Sequence, residues 1–467
     1  MSVTPQSMLN WCRVLLDVDG RRPKRSLPEY LQMIPRLDAL VDLGSGTPVL
    51  VRGDVDAKPG EKIGEGDIRL RSMRETLALG RERGWKQIIF GHKGRKPDET
   101  LGKVAARIGE LVDCDVPLLE DWLDETSLTV RDRVAEKIRA SAPGSILVLE
   151  NTRRYEIERV LWKAGADDLD RLAEPLAKFA DQLAEKVARV YVNEALSAGS
   201  LDTSTTVVPA AMDRVALGAY VAQEFEGPML RCLATELVVF SGLKIDKLDD
   251  LEAMIGRGLV TTVFTAGSLA MALKKAAAEL NGKQFSLGLA EDPGHADKPY
   301  FIPEKRIEQA KRMIAEGRKM GIEFVLPVDF ILEDGRESQT IGPGEQQLDV
   351  GPRTSELFER KVGEFIASHK GRPAAAFYNG VFGKFEDPRF AEGTKRFMRQ
   401  LKRLKDANVE VYVGGGEGGE ALAQYGHPDD VTHVFTAGGT VLNALGSEPV
   451  PYLVALSMAA TGGQGRT

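Results

Sequence analysis

Ten short apolar runs, each stopped by a glycine, an asparagine or a charged residue and separated from the next by helical sequence, constrain this chain more than any other feature. The first four are 47–54 (TPVLVRGD), 87–92 (QIIFGH), 145–151 (SILVLEN) and 189–194 (RVYVNE). The other six are 236–242 (ELVVFSG), 260–267 (VTTVFTAG), 323–329 (EFVLPVD), 374–380 (AAAFYNG), 409–416 (VEVYVGGG) and 432–439 (THVFTAGG). Strands that alternate with helices pair in parallel, because a parallel connection needs a crossover long enough to hold a helix. The pattern predicts an α/β protein built on doubly wound, Rossmann-like parallel sheets. Sheets of this kind take ligands in the crevice outside the carboxyl ends of their strands. The polar residues that end the runs are therefore the candidates for chemistry.

At 467 residues the chain is long enough for two large α/β domains. Residues 1–45 read as an N-terminal lead-in, with 20–28 (GRRPKRSLP) as exposed linker. Four runs fill 46–215, the first domain, and six fill 236–452, the second. Between them, 216–235 reads as a connecting or hinge helix that ends near Gly227-Pro228. Residues 453–467 form a tail that ends in GGQGRT, which reads as frayed.

A balance of 62 basic against 69 acidic residues gives a net charge of −7, which argues against a nucleic-acid partner. No apolar run reaches the roughly 18 residues of a membrane span, and the N-terminus lacks a signal-peptide pattern. Three dispersed cysteines, Cys12, Cys114 and Cys232, read as reduced thiols. A cytoplasmic monomer without nucleic-acid or membrane partners is the expectation.

The motifs sort by half. There is no Walker A sequence and no G-x-S-x-G elbow. The five histidines are not spaced as metal ligands, which argues against zinc. Residues 414–419 (GGGEGG) formally match a dinucleotide fingerprint, but on the ninth strand rather than the first. A glycine turn that leads into a helix N-terminus and faces phosphate fits better, and Thr436-Ala437-Gly438-Gly439-Thr440 repeats the design. In the first half, Arg52, Asp54, Asp56, Arg69, His92, Arg95 and Arg153 lie at or just after run ends. Arginines in such places suit an anionic substrate, since a guanidinium pairs with carboxylate or phosphate through two bonds.

In order and spacing these motifs resemble phosphoglycerate kinase from about residue 33 to 455. The family's R-V-D-F-N-V-P corresponds to Arg52-Gly53-Asp54-Val55-Asp56-Ala57-Lys58, and S-H-L-G-R-P to Gly91-His92-Lys93-Gly94-Arg95-Lys96. L-E-N-L-R-F corresponds to 149–154 (LENTRR) and V-N-D-A-F to 192–196 (VNEAL). G-G-A-K-V-x-D-K corresponds to Ser241-Gly242-Leu243-Lys244-Ile245-Asp246-Lys247. L-P-V-D stands intact at 326–329, and D-I-G-P-x-T is 349–354 (DVGPRT). W-N-G-P-x-G-x-F-E is 378–386 (YNGVFGKFE), followed by the shared F-A-x-G-T-K at 390–395. G-G-G-D becomes Gly414-Gly415-Gly416-Glu417, and T-G-G-G-A becomes 436–440 (TAGGT).

The resemblance implies two domains and a hinge, with a small carboxylic acid on the first and MgATP or MgADP on the second. It implies substrate contacts from Asp54, Asp56, Arg69, His92, Arg95 and Arg153. Nucleotide contacts would come from Gly242, Lys244, Lys247, Gly267, Gly351, Asn379, Glu386, Gly415, Gly416 and Glu417, and Glu417 would hold magnesium. Arg69, Lys244, Lys247 and the amides at Gly438 and Gly439 would stabilise the phosphoryl group in transfer. The end of the chain would return to the first domain.

Departures concentrate on the acid side. The family's G-T-A-H-R-A-H-A-S, whose arginine grips the substrate phosphate, is here 197–205 (SAGSLDTST), with Leu201 in the arginine position. Asp56 replaces an asparagine and Glu417 an aspartate. The N-terminal extension and an insertion near 157–185 are also unlike the compact family form. The expectation is an ATP-dependent carboxylate kinase whose acid differs from 3-phosphoglycerate. The alternatives are an ordinary phosphoglycerate kinase and an inactive nucleotide-binding homologue.

Overall fold

The computed structural model describes residues 2–60, 67–94, 96–446 and 449–462. Arg95 and most of the GGQGRT tail therefore lie outside the described residues. The chain divides into two compact units, Met1–Gly227 with Pro449–Thr467, and Pro228–Glu448.

The first unit is built on a six-stranded sheet. In spatial order its strands are Leu118–Leu119, Ile146–Leu149, Lys86–Phe90, Pro48–Gly53, Val190–Glu194 and Arg214–Leu217. Every pairing is parallel. The central strands are apolar without alternation because helices cover both faces of such a sheet; Val49, Leu50 and Val51 are all fully buried. Strand order reverses between Pro48–Gly53 and Val190–Glu194, which makes their carboxyl ends the switch point of this sheet.

Residues 1–45, read as a lead-in, are built into this unit. Thr4 caps the helix Pro5–Leu15 by accepting from the Ser7 amide at 3.1 Å. That helix packs on Leu169–Lys186, which lies in the region of the insertion. Trp11 Nε1 donates to the Thr206 carbonyl at 2.8 Å. The helix Pro451–Ala460, with Tyr452 and Leu453 buried, packs on Leu27–Met33 and Thr203–Thr206.

The stretch expected as one helix over 216–235 differs in two ways. Its first two residues belong to the strand Arg214–Leu217. The helix Ala219–Glu224 then does not stop at Gly227-Pro228 but passes through a π turn, Phe225–Met229, into Leu230–Cys232. The wider turn absorbs a proline that has no N–H to give to an α-helical ladder.

The second unit repeats the plan. Its strands run Glu323–Val325, Thr262–Thr265, Thr235–Phe240, Ala374–Asn379, Val409–Val413 and His433–Val434 across the sheet, all parallel. Phe264, Phe358, Phe382 and Phe397 pack edge to face or tilted beneath it, with centroids 4.9 Å apart for Phe382 and Phe397. A small antiparallel sheet of Phe330–Leu332, Glu337–Ser338 and Gln347–Val350 sits outside the main one. The switch point lies between Thr235–Phe240 and Ala374–Asn379. No described helix is long and apolar enough to cross a membrane.

Candidate active site

In the second unit the strand ends converge because glycines let backbone approach backbone. Gly380 has φ +97°, and a Cβ there would lie 2.1 Å from the Ser241 carbonyl oxygen. Gly267 has φ +63°, and its Cβ would lie 2.6 Å from the Gly242 oxygen. A side chain at Gly380 would push apart the two strand ends of the switch point, and one at Gly267 would push the helix Gly267–Leu280 off Gly242. The loops at 414–416 and 435–437 close on each other in the same way, since a Cβ on Gly415 would meet the Phe435 oxygen at 2.4 Å. Helices begin at Glu417 and Gly438 directly after these turns and leave their first N–H groups unpaired within the helix.

Lys247 opens the helix Lys247–Gly256 and donates from Nζ to the Ser241 carbonyl at 2.9 Å. Burial pulls its ammonium below the ordinary lysine value; the negative charge of Glu417 opposes that shift and Lys244 adds to it. Lys244 and Glu417 are both exposed. Ligand sites are cavities of roughly 300–1,000 Å³; here one of 430 Å³ has Met271, Leu287, Ala290 and Phe382 as apolar wall and Gly242, Gly267, Glu386 and Glu417 at its polar side. Of the exposed carboxylates on this lining, Glu333, Glu386 and Glu417, it is Glu417 that directly follows a glycine turn, a setting that suits magnesium, which takes one or two carboxylates and completes its shell with phosphate and water. Glu417 would hold the ion.

Of the predicted nucleotide residues, Gly242, Gly267, Glu386 and Glu417 line this cavity, and Lys244, Lys247, Gly351, Asn379, Gly415 and Gly416 do not. Gly351 does not line this cavity; a Cβ there would meet Asp329 at 2.4 Å. Asp329 instead accepts from the amides of Arg353 and Thr354 at 3.0 and 2.7 Å and fixes the start of the helix Pro352–Ser368. Asn379 turns its amide toward Gly414 and Gly438, and its buried Oδ1 has no protein donor.

In the first unit three of the predicted residues, Arg52, His92 and Arg153, are brought together around a carboxylate. Arg52, 1% exposed, donates to Ser204 Oγ at 3.1 Å and to the Gly53 carbonyl at 2.7 Å. Its NH2 lies 2.8 Å from His92 Nδ1. That imidazole nitrogen is also 2.8 Å from Oδ2 of Asp202. Arg153 reaches the same oxygen at 3.4 Å, and Trp162 Nε1 donates to Oδ1 at 2.8 Å. Glu158, wholly buried, accepts from Thr152, Thr203 and Ser204 alongside. Burial and the neighbouring Asp202 raise the Glu158 carboxyl. Burial works against the Asp202 charge too, but His92, Arg153 and Arg52 outweigh it and hold that carboxyl far below the ordinary range. His92, Glu158 and Asp202 also form the one group of potential metal ligands among the described residues. Two guanidiniums already lie on it, so it is an ion-pair network.

Arg69 stands apart from this network. It donates to the Asp56 carbonyl at 3.0 Å and lies 3.8 Å from Asp54. Asp54 accepts from Ser197 Oγ at 2.6 Å. Asp56 accepts from the Gly94 amide at 2.9 Å; burial raises its carboxyl, but that bond and the charges of His92, Arg69 and Arg153 bring it below the ordinary value.

Residues 40–448 match the family model described as phosphoglycerate kinase. The chain belongs to the phosphoglycerate kinase family. It is 27% identical over 444 residues to phosphoglycerate kinase of Bifidobacterium adolescentis, covering 90% of this chain and 100% of that one. Against the enzyme of Clavibacter michiganensis it is 28% identical over 446 residues, covering 90% and 98%. The fold is that of phosphoglycerate kinases of solved structure. The Pyrococcus horikoshii enzyme aligns at TM-score 0.68 with 24% identity, over 91% of this chain and 99% of the other. The Coxiella burnetii enzyme aligns at 0.64 with 22% identity, over 90% and 98%.

Asp202, Glu158 and Trp162 are residues of this first-unit cluster that the sequence reading did not single out. One signal was available: Asp202 is the only charged residue in 197–205 (SAGSLDTST), a short way beyond a run end, in a half where Arg52, His92 and Arg153 also lie at or just after run ends.

Proposed function

We propose that this chain transfers the γ-phosphoryl group of MgATP reversibly to the carboxylate of a small acid other than 3-phosphoglycerate, giving an acyl phosphate and ADP. The observation that carries the reading is the second-unit cavity lined by Gly242, Gly267, Glu386 and Glu417, with the Lys247 ammonium and the Glu417 carboxylate 3.1 and 3.4 Å from where a Cβ on Gly242 would lie. Membership of a family whose relatives are named phosphoglycerate kinase supports the same chemistry.

A carboxylate, with a reference pKa near 4, is already ionised at pH 7. Its oxygen attacks the γ-phosphorus, and the bond from that phosphorus to the β–γ bridging oxygen breaks as ADP leaves. No proton has to be removed. Transfer then depends on positioning and on fixed positive charge around the phosphoryl group. Lys247, Lys244 and the amides at Gly438 and Gly439 supply that charge on the nucleotide side, and Arg69 on the acid side. Glu417 would hold magnesium, which when bound would neutralise phosphate charge. Leu201 cannot donate to a substrate phosphate, which favours a different acid.

The test is an acyl-phosphate assay with hydroxylamine trapping, run with ATP over a panel of carboxylic acids, beside a thermal titration with MgADP. The expectation is hydroxamate with at least one acid and a raised melting temperature. Ligand at a hundredfold excess over Kd stabilises by about 2.7 kcal/mol. No shift with MgADP overturns the reading.

A further inference from the structure

Four adjacent strands of the first sheet send charged side chains to one place at its carboxyl edge. Arg52 ends Pro48–Gly53, His92 follows Lys86–Phe90, Arg153 follows Ile146–Leu149, and Asp202 follows Val190–Glu194. This is the edge at which an open parallel sheet holds its ligand. Three cationic or proton-bearing groups gathered there would ordinarily wait for an anion from outside. Here the anion is already covalently present. The Asp202 side chain is 0% exposed, and both of its oxygens are engaged, Oδ2 by His92 and Arg153 and Oδ1 by Trp162. Arg153 is further held over the Trp162 ring at 4.8 Å and by the Gly94 carbonyl at 2.5 Å.

Charge placement points the same way. Both guanidiniums already face the Asp202 carboxylate, Arg52 at 3.8 Å and Arg153 at 3.4 Å. An incoming phosphate would add negative charge beside that carboxylate, and it would have to displace a group that cannot leave. Desolvating an anion without a partner is prohibitive in such a setting.

We infer that Asp202 is a resident anion that fills the seat made by Arg52, His92 and Arg153, and that it thereby selects an acid whose far end carries no negative charge. The phosphoryl acceptor is then a monocarboxylic acid with a neutral polar or apolar tail. This rests on the carboxylate-kinase reading above, and Asp202 acts within it as a specificity residue, not a catalytic one.

The experiment uses the full chain, in wild-type form and as Asp202→Ala, titrated separately with inorganic phosphate, 3-phosphoglycerate and MgADP, with melting temperature and calorimetric binding as readouts. Wild type is expected to show no saturable binding of phosphate or 3-phosphoglycerate. Asp202→Ala is expected to melt lower, to be restored saturably by phosphate, and to bind 3-phosphoglycerate saturably at concentrations roughly 10- to 100-fold below the highest at which wild type shows none, the range of one charge-assisted hydrogen bond. The MgADP response should be the same in both. If Asp202→Ala does not fold, Asp202→Asn, which keeps the shape without the charge, takes its place. Saturable binding of phosphate or 3-phosphoglycerate by wild type overturns the inference whatever the variants do. So does a folded variant, judged by an intact MgADP response, that gains no affinity for either anion. A wild type that fails to respond to MgADP defeats the kinase reading instead and leaves the anion result to be judged separately.

Discussion

The Lys247 ammonium donates to the Ser241 carbonyl at 2.9 Å, and a Cβ on Gly242 or on Gly380 would lie 3.1 Å from that nitrogen. The lysine is thus fixed by backbone over the switch point of the second sheet, with one N–H accounted for and its charge partly desolvated. Lys247→Met should lower kcat by roughly 10²- to 10³-fold, the effect of removing one preorganised charge donor. MgADP affinity should fall far less. Steady-state kinetics beside calorimetric titration separates the two; equal losses would mark Lys247 as a ground-state contact.

Glu417 is exposed at the first position of its helix and forms part of the cavity wall. Glu417→Gln should therefore abolish the dependence of activity on magnesium concentration in its normal range while shifting the apo melting temperature little. A magnesium titration of initial rate gives the answer. Unchanged metal dependence would mean that Glu417 only begins a helix.

Glycine is required at position 380 by both its φ of +97° and the Ser241 oxygen at 2.1 Å from any Cβ. Gly380→Ala should destabilise by about 2–6 kcal/mol, strain and overpacking together, and should lose the MgADP-induced rise in melting temperature. Gly256, with nothing within 4 Å of a Cβ, is the control. Gly256→Ala should be neutral or stabilising by about 0.5–1 kcal/mol. Chemical denaturation measures both.

Glu194 is fully buried at the end of its strand, where it accepts from Thr76 Oγ1 at 2.7 Å and from the Tyr220 amide at 3.2 Å. Burial, the dominant influence, pushes its carboxyl from 4.5 up to about 7 against those bonds. The folded state keeps a proton that the unfolded chain gives up between these two values. The associated stability is therefore complete below about pH 4.5 and is lost as pH rises through about 7. Asp349, raised by burial to about 7, acts in the same sense. Glu194→Gln should remove part of this slope and leave the protein on the order of 3 kcal/mol more stable than wild type above pH 8. Urea unfolding from pH 5 to 8.5 tests it; parallel curves for the two proteins refute it.

Strands were legible where apolar runs are unbroken and end in glycine or charge, because burial on both faces leaves no alternation to confuse. All ten runs contain strands. Arg214–Leu217 was not legible, since its four residues run into ALGAYVAQ, whose spacing reads as helix. Leu118–Leu119 is too short to leave a pattern. In the site, Lys247, Glu417, Gly242 and Gly267 could be read from motif order. The pairing of Asp202 with His92 could not. It joins residues 110 positions apart in a contact that depends on strand order in the sheet, which no local periodicity encodes.

The first unit is discontinuous: it comprises Met1–Gly227 and Pro449–Thr467, with the second unit, Pro228–Glu448, between them in the chain. During synthesis the second unit therefore emerges whole while the first still lacks Pro451–Ala460, the helix that covers Leu27–Met33 and Thr203–Thr206. Domains fold as units once their chain is available. The half that leaves the ribosome first is thus the half that finishes last, and its apolar surfaces stay open to chaperones for the whole time the other half is being made.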